Sequence, residues 1–151
     1  MRGFEIVEKR FRHYNIEDIN LPKRADKGSA GYDFYSPCDF IIEPKEMKVI
    51  PTDIRAYMQE DEVLLLWIRS SMGIKKKITL ANQTGVIDSS YYGNLDNDGN
   101  IGIALINNGE EPYEVKKGDK IMQGVFIKYL TIDNDKPINE TRIGGIGSTG
   151  K

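Results

Sequence analysis

Polar turn chemistry interrupts this chain at intervals of roughly ten residues, and that spacing limits the fold more than any other feature. Glu43–Glu46, Gln59–Glu62, Asp96–Gly99, Asn107–Gly109 and Lys117–Asp119 are polar segments, mostly of turn-favouring residues. Between them lie short blocks rich in β-branched and aromatic residues. Tyr32–Tyr35, Phe40–Ile42, Met47–Ile54, Val63–Ile68, Ile78–Leu80, Ile101–Ile106, Tyr113–Val115 and Ile121–Ile132 are each predicted to be strands. Only Ser70–Lys77 reads as helical, and it is short. Many short strands with almost no helix restrict the chain to a sandwich, jelly roll or barrel. No internal repeat or linker is visible.

A chain of 151 residues, 39% hydrophobic and 29% charged, fits one globular domain. Its longest apolar run, Val63–Ile68, is far short of the roughly 20 residues a membrane helix needs. The N-terminal MRGFEIVEKRFRHYN mixes charged with apolar residues and contains no signal-peptide core. No membrane partner is expected. The lone Cys38 cannot form an internal disulfide, which points to a reducing, cytoplasmic setting. With His13 as the only histidine, a Cys/His zinc site is ruled out. No G-x-S-x-G elbow presents a serine nucleophile either. A net charge of −2 argues against a surface built for nucleic acid but leaves room for a small anionic substrate.

A hydrolase lacking zinc and a covalent nucleophile needs a carboxylate to activate water and donors to hold a polyanion. Asp88, within GVIDSSYYG, follows the apolar pair Val86-Ile87 and precedes Tyr91, a setting suited to a general base. The same spacing also suits a plain turn aspartate. Arg69-Ser70-Ser71-Met72-Gly73 follows an apolar strand, where the first helical N–H groups lack internal partners and can meet phosphate. An N-cap serine beside a surface arginine is the plainer alternative. The tail NETRIGGIGSTGK is glycine-rich and apolar-poor, so it is either a disordered terminus or an arm that closes over a ligand. Its G-x-G-x-x-G, at Gly145, Gly147 and Gly150, has no strand before it and no helix after it, so it is not a dinucleotide fingerprint.

Five segments together resemble the motifs of the trimeric dUTPases, in the family's order. They are AGYDFYS (Ala30–Ser36), RSSMGIK (Arg69–Lys75), NQTGVIDSSYYG (Asn82–Gly93), GDKIMQG (Gly118–Gly124) and GGIGSTG (Gly144–Gly150). The resemblance implies an all-β, jelly-roll-like β-clip, with one short helix after RSSMG. It divides the chain into a β domain, residues 1–140, and a mobile C-terminal arm, residues 141–151. It implies hydrolysis of dUTP to dUMP and pyrophosphate, which keeps uracil out of DNA and supplies dUMP for thymidylate synthesis.

By the same resemblance, Asp88 orients water for attack on the α-phosphorus. Tyr91 packs on the deoxyribose and excludes a 2′-hydroxyl. Asn82 with the backbone at Gly85 and Val86 reads uracil. Arg69, Ser70, Ser71 and Gln123 serve the phosphates. Arg142, Gly147, Ser148 and Thr149 belong to an arm that closes over the γ-phosphate from a neighbouring subunit of a homotrimer. Mg²⁺ is held mainly by the triphosphate, with Asp33 reaching it through water.

The chain departs from the family pattern in three places. Ile146 stands where a stacking phenylalanine is usual, and Arg142 lies two rather than three residues before Gly144. Asn94–Asn100 (NLDNDGN) is longer than the usual hairpin and is expected to be a solvated loop. A dCTP deaminase of the same fold, and a regulatory binding protein on a dUTPase scaffold, are the alternatives.

Overall fold

The structure, a computed structural model, describes residues 1–142 and 144–150. In chain order the elements are β1 Gly3–Ile6, β2 Tyr32–Tyr35, β3 Phe40–Ile42, β4 Met47–Pro51, β5 Ile54–Tyr57 and β6 Glu62–Trp67. Helix α1 Ser70–Lys76 follows, then β7 Ile78–Leu80, β8 Gly85–Asp88, β9 Gly102–Asn107, β10 Tyr113–Val115 and β11 Lys120–Lys128. The strands pair antiparallel in four sheets, β2-β11-β6-β8, β4-β9-β7, β1-β5 and β10-β3. The result is the mostly β fold expected from the turn spacing, in the jelly-roll-like form that the resemblance implied. Among the described residues, no helix is long and apolar enough to cross a membrane.

Alternation sets which side chains face the core. In β9, Ile103, Leu105 and Asn107 are buried while the residues between them face outward. Ile103 and Leu105 join Phe34, Ile42, Leu64, Ile78, Ile121 and Met122 in one apolar cluster, each burial contributing about 1.5–3 kcal/mol. The buried amide of Asn107 is fully used. Its Nδ2 donates to the carbonyls of Ile42 (2.9 Å) and Glu111 (2.8 Å), and its Oδ1 accepts from Gly109 N–H at 2.9 Å. A buried polar group is tolerated only when so satisfied.

Three expectations are corrected. Met47–Ile54 is not one strand, because Asp53 takes a left-handed conformation (φ 59°) between β4 and β5. Its buried carboxylate compensates for that strain. Oδ2 accepts from the N–H groups of His13 (2.7 Å) and Tyr14 (2.9 Å), and Oδ1 from Asn100 Nδ2 (2.8 Å). The charged N-terminus, where no strand was predicted, supplies β1, whose Phe4 ring sits 5.3–5.5 Å from Tyr32, Phe34 and Phe126. Asn94–Asn100 is not a solvated loop, since Asn94, Asp98 and Asn100 are all buried.

Candidate active site

The GVID segment forms β8, paired along β6 with Gly85 opposite Leu66 and Asp88 opposite Val63. Glycine is needed at 85 because a Cβ there would come within 2.9 Å of Leu66 Cβ. The close approach lays β8 flat on the sheet edge. Asp88 ends the strand with extended backbone and starts the 3-10 turn Ser89–Tyr91, yet its side chain makes no capping bond. A plain turn aspartate would spend its carboxylate on that cap. Here the group stays half exposed, and its side-chain partner is Arg142, whose Nη2 lies 2.8 Å from Oδ2.

Beside Asp88 opens a cavity of about 460 Å³. Its walls include Leu66, Leu80, Met122 and Ala104, and its rim carries Asn82, Val86, Asp88, Tyr91, Arg142, Ile146, Gly147 and Thr149. Asn82 sits in the β7–β8 turn, where its carbonyl accepts from Thr84 N–H at 2.6 Å. The Tyr91 ring is buried, with the Arg142 guanidinium 5.5 Å from its centroid, inside cation–π range. The Tyr91 hydroxyl donates to Asn100 O (2.9 Å) and accepts from Asn97 Nδ2 (2.8 Å). Burial pushes the Tyr91 phenol above its ordinary value, against the opposing pull of Asn97 and Arg142.

The remaining expected residues gather elsewhere. Arg69 precedes α1, and its Nε donates to Asp33 Oδ1 at 3.1 Å. Lys120 Nζ meets the other Asp33 oxygen at 3.1 Å. Gln123 stands opposite Asp33 across β11 and β2, and its Nε2 donates to Ile68 O at 3.3 Å. Ser70 and Ser71 open α1 and are exposed. Lys120 was not singled out in the sequence. Its signal was its place in GDKIMQG, and only the β2–β11 register puts it on Asp33.

These two clusters do not meet within one chain. Asp88 faces Val63 at the start of β6, whereas Arg69 lies beyond its far end, roughly 15–20 Å along the sheet at strand rise. Arg69 is moreover turned toward β2, at the opposite edge of the sheet from β8.

Within the single chain the arm lies beside the Asp88 cluster. Arg142 lies on Asp88, Ser90 Oγ (3.2 Å) and the Tyr91 ring of its own chain. Ser148 Oγ donates to Gly144 O at 2.8 Å, holding the arm's own turn rather than facing the cavity. Ile143 and Lys151 of the expected arm lie outside the described residues.

In this jelly-roll-like β fold a carboxylate and an arginine stand together at the mouth of an apolar pocket. The chain belongs to the dUTPase family, whose model matches residues 17–150. It is 44% identical, over 99% of its length and 98% of the relative's, to the deoxyuridine 5'-triphosphate nucleotidohydrolase of Lactococcus lactis subsp. lactis (strain IL1403). It is 38% identical to that of Clostridium tetani (strain Massachusetts / E88), over 89% of this chain and 92% of the relative. The crystal structure of dUTPase from Streptococcus mutans superposes with a TM-score of 0.77 at 38% identity, covering 87% of this chain and 99% of that one.

Proposed function

We infer that this protein is a dUTP diphosphatase, hydrolysing dUTP to dUMP and pyrophosphate and so limiting uracil in DNA while supplying dUMP. The observation that carries the mechanism is the uncapped Asp88 carboxylate at the mouth of the pocket. In our reading Asp88 orients a water and accepts its proton as the water attacks the α-phosphorus. Asn82 and the backbone at Gly85 and Val86 hold uracil, and the Tyr91 ring, held by Asn97 and Asn100, packs against the deoxyribose. A 2′-hydroxyl pressed against that buried ring would be left unpaired, which disfavours ribonucleotides.

In this arrangement Arg142 spends an Nη2 donor on Asp88. Substrate entry therefore exchanges the Asp88–Arg142 ion pair for phosphate contacts, freeing the base as the arm, residues 141–151, engages through Arg142, Gly147, Ser148 and Thr149. Residues 1–140 form the β domain, and the arm closes over the γ-phosphate in a neighbouring subunit's site. The lone thiol Cys38 is in keeping with a reducing cytoplasm.

The donor set fits a magnesium ion carried by the triphosphate. Among the described residues no cluster of three His, Cys, Asp or Glu could hold a metal, and both Asp33 oxygens already face cations. Asp33 would meet the ion only through its water shell, as Mg²⁺ allows. When bound, Mg²⁺ neutralises phosphate charge.

The separation of Asp88 from Arg69 supports a site shared between subunits of a homotrimer, with Asp88 from one and Arg69, Ser70, Ser71 and Gln123 from another. Mixing Asp88→Asn with Arg69→Ala protein and letting subunits exchange is then expected to restore activity. Random assortment gives about a quarter of wild-type turnover, because each chain supplies the half-site its partner lacks. Turnover no higher than that of the separate variants would place both residues in one chain's site.

The activity itself is tested by pyrophosphate release from dUTP, dTTP, dCTP and UTP with Mg²⁺. Release from dUTP alone is expected. Ammonia from dCTP would instead assign the deaminase reaction.

A further inference from the structure

We propose that Asn97 is a positioning residue for sugar selection, pinning the Tyr91 hydroxyl so that the ring cannot move aside for a ribose. The proposal rests on the reading of Tyr91 as the group that meets the deoxyribose. Asn97 Nδ2 donates to the Tyr91 hydroxyl at 2.8 Å, and the hydroxyl donates to Asn100 O at 2.9 Å. The direction of the first bond is fixed by the other end of the amide. Asn97 Oδ1 accepts from Asn94 Nδ2 (2.7 Å) and from Gly99 N–H (3.1 Å). With that oxygen taken up by two donors, only Nδ2 is turned toward the ring. The hydroxyl must then send its own proton to Asn100 O, and it has no hydrogen left to offer a sugar hydroxyl.

The loop Asn94–Asn100 holds both ends of the tyrosine. Asn94 Nδ2 donates to Tyr91 O at 2.8 Å, while Asn94 Oδ1 accepts from the N–H groups of Asp96 (3.0 Å) and Asn97 (3.2 Å). Gly99 has φ 82°, and a Cβ there would lie 2.8 Å from Tyr91 O, so glycine is what lets the loop lie on the Tyr91 backbone. The loop is in turn tied to the body. Asp98 accepts from Arg55 Nη1 and from Glu8 N–H (2.8 Å), and Asn100 Nδ2 donates to the buried Asp53 Oδ1 at 2.8 Å. The loop therefore cannot shift without breaking bonds to β5 and to the N-terminal segment. A ring tethered at its backbone and twice at its hydroxyl leaves no room for a 2′-hydroxyl. Released from Asn97, it keeps only the Asn100 bond at its far end and yields more readily.

Full-length wild type, Asn97→Ala, Tyr91→Phe and the double variant are assayed for kcat/KM with dUTP and with UTP in the presence of Mg²⁺. The readout is the dUTP/UTP ratio. Partial unfolding does not move it, because both substrates meet the same folded enzyme. Asn97→Ala is expected to lower the ratio about fivefold, through loss of one hydrogen bond to the ring. Tyr91→Phe gives up both hydroxyl bonds and is expected to lower it about tenfold. Because Asn97 acts through that hydroxyl, the double variant stays at about tenfold, whereas independent effects would multiply to about fiftyfold. A wild-type ratio in either single variant overturns the proposal, and so does a multiplied loss in the double variant. Tyr91→Phe keeps the ring and the loop, so it tests the pin even where Asn97→Ala yields no folded protein. A wild type that takes UTP as readily as dUTP overturns the reading of Tyr91 itself, and the proposal with it.

Discussion

Asp88→Asn is expected to lower kcat for dUTP by on the order of 10²–10⁴ while leaving nucleotide binding close to wild type. Asparagine keeps the size and shape of the side chain, and the carboxylate caps nothing whose loss would disturb the fold. What disappears is the proton acceptor, together with the charge that pairs with Arg142. The check is single-turnover kinetics alongside calorimetric binding of a non-hydrolysable dUTP analogue. Near-normal turnover would remove Asp88 from the chemistry. Lost binding with a proportionate loss of kcat/KM would make it a substrate anchor rather than a base.

The strands that the sequence revealed are those bounded by polar turns and judged by local pattern. Ile78–Leu80, Tyr113–Val115, Phe40–Ile42 and Tyr32–Tyr35 fall where the alternation put them. The failures are non-local. Asp53 breaks the expected Met47–Ile54 strand, and the groups that stabilise its left-handed backbone are amides of His13 and Tyr14, forty positions away. Strand β1 exists because β5 pairs with it and because Phe4 finds three aromatic rings from β2 and β11. A window around Gly3–Ile6 contains neither fact.

The candidate site divides the same way. Asp88 was visible as a carboxylate after an apolar pair, but local spacing could not tell a base from a cap, and the family resemblance assigned its role. Its uncapped geometry is what the fold adds. Lys120 on Asp33 and Asp96 on Gly145 depend on strand register and on a contact spanning 49 positions, so no local motif could mark them. Asn94–Asn100 looked solvated because it is polar. Its polar groups are instead paired with one another and with the body, which is how a polar loop becomes buried.

Ending the chain before Thr141 is expected to reduce kcat/KM for dUTP by on the order of 10²–10⁴, without changing melting behaviour or assembly state. The arm contributes nothing to the core: its buried described residues are glycines, and Ile146 is 86% exposed. It does contribute the Arg142 guanidinium, two hydroxyls at Ser148 and Thr149, and glycine backbone donors, each a group that stabilises phosphate charge. Its removal differs in kind from loss of the base. Without the arm, Asp88 keeps its proton-accepting oxygen and loses the cation paired with it, so chemistry survives at a reduced rate while KM rises with the missing contacts. The Asp88→Asn chain, by contrast, keeps its arm and its affinity and fails in kcat. Calorimetry, size-exclusion chromatography with light scattering, and steady-state kinetics on the truncated chain separate these cases. Full turnover would leave the arm without a catalytic part, and a chain that changes its assembly would make the arm structural.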